Sequence, residues 1–122
     1  MRQLILIAFS LLILSCSSPQ KNYSETATQK QIYKSWVLSR CLSKVQTDDA
    51  MKQDALNSAS AYLEESRLPV ESFTRVEPLI DSYIARDYQG SISGTFNVKK
   101  CVDLIYSDDL ERFIIEEINP IL

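Results

Sequence analysis

The sequence predicts a small all-α bundle of about five helices, and three observations carry that prediction. The chain has 122 residues, enough for one domain. Its only two glycines, Gly90 and Gly94, lie close together, which leaves long stretches without a breaker. Apolar residues recur at three- and four-residue spacing, with no alternating run of the kind a half-buried strand needs.

The N-terminus comes first, because it sets the compartment. Arg2 opens the chain, and Leu4 to Leu14 is apolar except for Ser10. That length suits the core of a secretory signal and falls short of the roughly 20 apolar residues a bilayer span requires. Residues 1–15 therefore read as a signal peptide. Ile13, Leu14, Ser15 and Cys16 resemble a bacterial lipobox, in which the cysteine becomes the lipidated first residue. Leu is more usual than Ile three positions before that cysteine. Ordinary cleavage after Ser15 or Ser18 is the alternative. Ser17 in place of Asp favours sorting to the outer membrane. The Ser, Pro, Gln, Lys and Asn residues that follow read as a flexible tether over residues 16–25, ahead of a helical domain at 26–122.

Three cysteines are an odd number for an exported chain. With Cys16 lipidated, Cys41 and Cys101 remain as a pair, and an oxidising periplasm lets them form a disulfide. Two separate buried thiols are the alternative.

Each element then has its own reason. The first helix covers Thr26 to Val45, with Tyr33, Trp36 or Val37, Arg40 or Cys41, and Lys44 or Val45 at helical spacing. Thr47 or Asp48 can cap a second helix running to about Ser66, with Met51, Ala55, Ala59, Tyr62 and Leu63 as its apolar stripe. Pro69 can open a third, lined by Phe73, Val76, Ile80, Tyr83 or Ile84, and Tyr88. Pro78 falls inside that pattern and predicts either a kink or a second helix starting near Glu77. QGSISGT, residues 89–95, is a turn-forming loop with Ile92 alone among small and polar residues. A fourth helix, Asn97 to Tyr106, places Val98, Cys101, Val102 and Ile105 on one face. Ser107 or Asp108 caps a fifth, with Asp108 and Glu111 at the spacing of a capping box; it is lined by Leu110, Phe113, Ile114 and Ile118 and ended by Pro120.

Composition removes most chemistry. The chain has no histidine, which excludes Cys–His nucleophilic catalysis within it and the commonest metal ligand. No GxSxG is present, and GSISG lacks the lysine and preceding strand of a phosphate loop. Four acidic doublets, at Asp48, Glu64, Asp108 and Glu116, point their neighbours apart on helices and do not flank one bond as a glycosidase needs. No EF-hand spacing appears. The sequence therefore calls for no cofactor, no metal and no enzymatic role. Without residues 1–15 there are 12 basic and 16 acidic residues, a net charge of -4, which argues against a nucleic-acid partner and against charge-driven binding to anionic lipid. Ile92 on its loop reads as a contact point for a protein; folding back onto its own domain is the alternative.

Several stretches together resemble a known family. These are WVLSRC at 36–41, DALNSASAYLEES at 54–66, LPVE at 68–71, and NVKKCVDL at 97–104 followed by Tyr106 and Ser107. Their order and spacing are similar to the periplasmic immunity proteins that neutralise the fourth group of type VI secretion amidase toxins. The resemblance spans about residues 32–115. It implies a small helical protein, commonly a homodimer, that blocks a papain-like cysteine amidase acting on peptidoglycan. Inhibition in that family is steric, with a protruding loop and a helix covering the catalytic groove. Matched onto this chain, the loop is Gln89, Gly90, Ser91, Ile92, Ser93, Gly94 and Thr95. The helix is the third, with Asp81, Arg86, Asp87 and Tyr88. Membrane contact comes only through the lipid at Cys16. A non-enzymatic envelope lipoprotein serving assembly or adaptor roles is the other reading.

Overall fold

A computed structural model describes the backbone of residues 20–122 and the side chains from residue 25 onward. The expected signal peptide and the lipidation site at Cys16 lie outside the described residues. Six α-helices and one π-helical turn follow in order: α1 Gln20–Val45, α2 Asp49–Glu65, α3 Val70–Thr74, α4 Glu77–Ile84, α5 Asn97–Ile105, α6 Asp108–Phe113, and the π turn Ile114–Ile118. The described residues contain no strand, so the chain is all-α.

The longest helix is the post around which the others assemble. At 26 residues α1 is about 39 Å long. It begins at Gln20, so the stretch expected as tether up to residue 25 is helical over its last part. Its second half is buried on more than one side, with Tyr33, Trp36, Val37, Cys41 and Val45 all in the core. Two serines on that half are also buried, and each satisfies its hydroxyl within the helix: Ser39 donates to the Ser35 carbonyl and Ser43 to the Arg40 carbonyl.

A three-residue connection turns the chain back into α2. Asp48 caps it, accepting from the Met51 N–H. Ala55 and Ala59 let α2 lie close against α1. At the far end the Arg67 N–H donates to Gln29 on α1, so the two helices run antiparallel. Met51, expected on the buried stripe, is exposed.

Pro78 divides the expected third helix into two, α3 and α4, as the sequence allows. It sits in the first turn of α4, where its missing N–H costs nothing. The one-turn α3 delivers Phe73 between Tyr33 and Trp36 at centroid distances of 5.2 and 4.9 Å. Burial lifts the Tyr33 hydroxyl far above the usual tyrosine range, and the neutral group donates to the Ser72 carbonyl at 2.8 Å.

Cys41 and Cys101 form the disulfide, joining α1 to α5 with Cα atoms 5.6 Å apart. The bond settles which way α5 faces, and it corrects the sequence reading. Lys100, Cys101 and Leu104 are buried, while Val98 and Val102 stand 58% and 40% exposed. Of the two candidate caps, Ser107 is the one that caps α6, accepting from the Leu110 N–H. Glu111, expected to close a capping box, instead accepts from Lys34 of α1 at 2.8 Å. Leu110, Ile114 and Ile118 are buried as the spacing predicts.

Candidate functional site

The α4–α5 connection combines exposure with a built frame. Helix α4 ends at Ile84, where a continued helix would have the Ile84 carbonyl accept from the Tyr88 N–H. That carbonyl instead accepts from the Lys100 ammonium at 2.9 Å. Lys100 is itself buried, so this bond both ends α4 and ties its end to α5. As a result Arg86, Asp87 and Tyr88 lie beyond the helix, in the connection. Of the four residues expected on a binding helix, only Asp81 is helical.

Each flank of the connection is held by side chains. The Arg86 guanidinium lies 3.4 Å from the centre of the Tyr83 ring and is 3.5 Å from Asp109. Tyr83 donates to the same carboxylate at 2.9 Å. Asp87 accepts from the Gln89 amide. The Tyr88 hydroxyl donates to Asp103 on α5 at 2.8 Å, and Lys99 donates to the same oxygen at 2.6 Å. Those two donors, Lys99 first, hold the Asp103 carboxyl below the usual carboxylate range.

The far flank closes on Phe96. This residue adopts a left-handed backbone, φ 53° and ψ 31°, alone among the described non-glycine residues. Phenylalanine rarely takes that conformation, so tertiary contact must hold it there. The contact is with Gly90: a Cβ built on Gly90 would stand 2.7 Å from Phe96 Cζ. Gly90 is therefore required for close approach rather than for a positive φ, which neither glycine has. A Cβ built on Gly94 would meet only the Phe96 backbone nitrogen, at 4.0 Å, an ordinary contact.

Between these flanks Gln89, Gly90, Ser91, Ile92, Ser93, Gly94 and Thr95 are all exposed. Ile92 at the middle is 73% exposed, so it does not fold back onto its own domain. The segment carries no charge in a chain that is 24% charged. A surface without charge offers shape and backbone hydrogen bonding rather than ion pairs.

Asp81 sits apart from the loop, on α4. It accepts from Lys44 at 2.6 Å, beside Glu77, which binds Lys44 and Arg40. Desolvation pulls the Lys44 ammonium down, but hydrogen bonds to Asp81 and Glu77 outweigh it and hold its pKa above the ordinary lysine value. The Asp81 carboxylate remains more than half exposed and open to a partner. Among the described residues no cluster of His, Cys, Asp or Glu could hold a metal ion, and no helix is long and apolar enough to cross a membrane. Sequence reasoning missed Phe96, Lys100 and Asp103. Only the Lys99–Asp103 pair left a sequence signal, through its i,i+4 spacing.

Comparisons with known proteins agree on one family. The family pattern described as "Type VI secretion system (T6SS), amidase immunity protein", Tai4, matches residues 31–114. A solved Tae4/Tai4 effector–immunity structure from Salmonella typhimurium aligns with a TM-score of 0.69 and 38% identity, covering 76% of this chain and 94% of that one. A Tae4–Tai4 complex from Enterobacter cloacae aligns at TM-score 0.64 and 34% identity, covering 70% and 87%. A complex of Salmonella typhimurium Tae4 with Enterobacter cloacae Tai4 gives the same TM-score and identity, covering 70% and 88%. Among curated proteins no relative matches. With more than half of its length matched, the chain belongs to the family of type VI secretion system amidase immunity proteins.

Proposed function

We propose that this protein binds a peptidoglycan amidase delivered by type VI secretion and blocks its catalytic groove in the periplasm, protecting the cell from its own or sibling toxin. The observation that carries this reading is the uncharged loop Gln89–Thr95, exposed along its whole length in the connection between α4 and α5. Its apolar tip, Ile92, can enter a groove that a cysteine amidase keeps open for a stem peptide. Family membership and the effector–immunity complexes among its structural relatives support the same partner. Occlusion needs shape and no reactive group of the inhibitor's own.

Three finer assignments go with it. Cys16 carries a lipid that anchors the protein to the outer membrane, which raises the inhibitor's effective concentration near the toxin's substrate. The protein is a homodimer; Val98 and Val102 on α5 and Tyr106 just beyond its end are exposed apolar residues of the kind a second copy covers. Asp81 on α4 supplies a polar contact beside the loop.

The test is a titration. Oxidised protein starting at Ser17 is added to the amidase encoded beside its gene, acting on peptidoglycan. Stoichiometric loss of cleavage is expected. Full cleavage with no complex at micromolar concentration would overturn the reading. Light scattering on the same sample should return the mass of a dimer, and a monomer would remove that assignment.

A further inference from the structure

We infer that Phe96, through its seat on Gly90, is the residue that sets the binding loop in its binding conformation before the partner arrives, and so determines affinity without touching the partner. The inference rests on the loop's role proposed above.

Four observations converge on this residue. Phe96 holds a left-handed backbone that its side chain disfavours. Its ring lies so close to Gly90 that a single added carbon there would overlap it. Phe96 and Gly90 bracket Ser91 to Thr95, so their contact closes that segment at its base. Phe96 is also the residue from which α5 starts, its carbonyl accepting from the Lys100 N–H at 2.9 Å. On the other flank Tyr88 is tied to Asp103 of the same helix. Both ends of the exposed segment are thus referred to α5, which the Cys101–Cys41 disulfide fixes to α1.

The consequence is thermodynamic. Among the described residues no side-chain hydrogen bond or ion pair joins residues 91–95 to the bundle, and the Gln89–Asp87 bond stands at the start of the segment. Its conformation is selected at its ends. A partner that needs this conformation binds with an apparent Kd equal to the intrinsic one divided by the share of molecules that hold it. If loss of the Phe96–Gly90 contact drops that share to about a tenth, Kd rises about tenfold.

The experiment uses Phe96→Ala, which removes the ring, and Gly90→Ala, which displaces it. Each is made alone and in an Ile92→Asp background. Inhibition of the amidase and amide hydrogen exchange across residues 89–95 of the free protein are both measured. Expected are an approximately tenfold weaker inhibition by either single variant, faster exchange in the loop, and retained protection in α1 and α2. In the Ile92→Asp background the further loss should largely vanish, because the loop no longer delivers its contact. A folded Phe96→Ala or Gly90→Ala protein with wild-type inhibition would overturn the inference. So would an equal loss in the Ile92→Asp background, or loop exchange unchanged by both variants. Failure of the wild type to inhibit would instead overturn the functional reading, and the inference with it.

Discussion

The aromatic heart of the bundle and the rim loop are built on opposite principles. At the heart, Phe73 is wedged between Tyr33 and Trp36, and all three are buried. At the rim, residues 86–96 are held by single directional contacts: Arg86 on Tyr83 and Asp109, Tyr88 on Asp103, Phe96 on Gly90. The heart is redundant, since each side chain touches many others and none acts alone. The rim is not, since each contact depends on one residue. That difference makes stability and inhibition separable, and it can be broken from either side.

The largest effect should come from the heart. Phe73→Ala leaves a cavity under two aromatic rings and should cost about 3–5 kcal/mol of unfolding free energy, read by denaturant titration. Whatever fraction remains folded should still inhibit, because the loop frame does not involve Phe73. Next is the staple. Replacing both Cys41 and Cys101 with Ala releases a loop of 60 residues and should cost up to about 4 kcal/mol by chain entropy. This change acts on both regions, since α5 carries the far end of the rim loop. Inhibition should therefore fall more than for Phe73→Ala at matched folded fraction.

The rim should show the reverse pattern. Ile92→Asp should weaken inhibition by about tenfold or more, while the melting transition stays near wild type because the residue is exposed. The smallest effect should come from pH. The Asp103 carboxyl, faced by Lys99, Tyr88 and Arg86, is held below its ordinary value. Its contribution is thus complete above the unfolded carboxylate pKa and is lost as pH falls through the folded one. Exchange protection at the loop flank should drop only below about pH 4. The heart, uncharged throughout, should not follow over the same window.

The two regions also differ in how far the sequence reveals them. Caps, turns and the break at Pro78 were legible because each signal is local: Asp48 sits beside the helix it caps, and proline acts on its own turn. The loop at residues 89–95 was legible for the same reason. The face of α5 was not. Val98, Cys101, Val102, Leu104 and Ile105 spread over an arc of about 160° at 3.6 residues per turn, so periodicity alone cannot choose which edge of that arc packs inward. The choice comes from Cys41, sixty residues away in sequence. The end of α4 was likewise hidden, because the group that takes the Ile84 carbonyl is Lys100 of another helix. Glu111 looked like half of a capping box because its local spacing fits one, and Lys34 across the bundle claimed it instead. The left-handed Phe96 contradicts its own propensity and can be understood only together with Gly90.

The most direct measurement sets wild type and Ile92→Asp side by side against the amidase encoded next to the gene, with melting curves on both. Stoichiometric inhibition by wild type, and continued peptidoglycan cleavage in the presence of an equally stable Ile92→Asp protein, are expected. Equal inhibition by the two would contradict the assignment of the Gln89–Thr95 loop as the part that blocks the toxin.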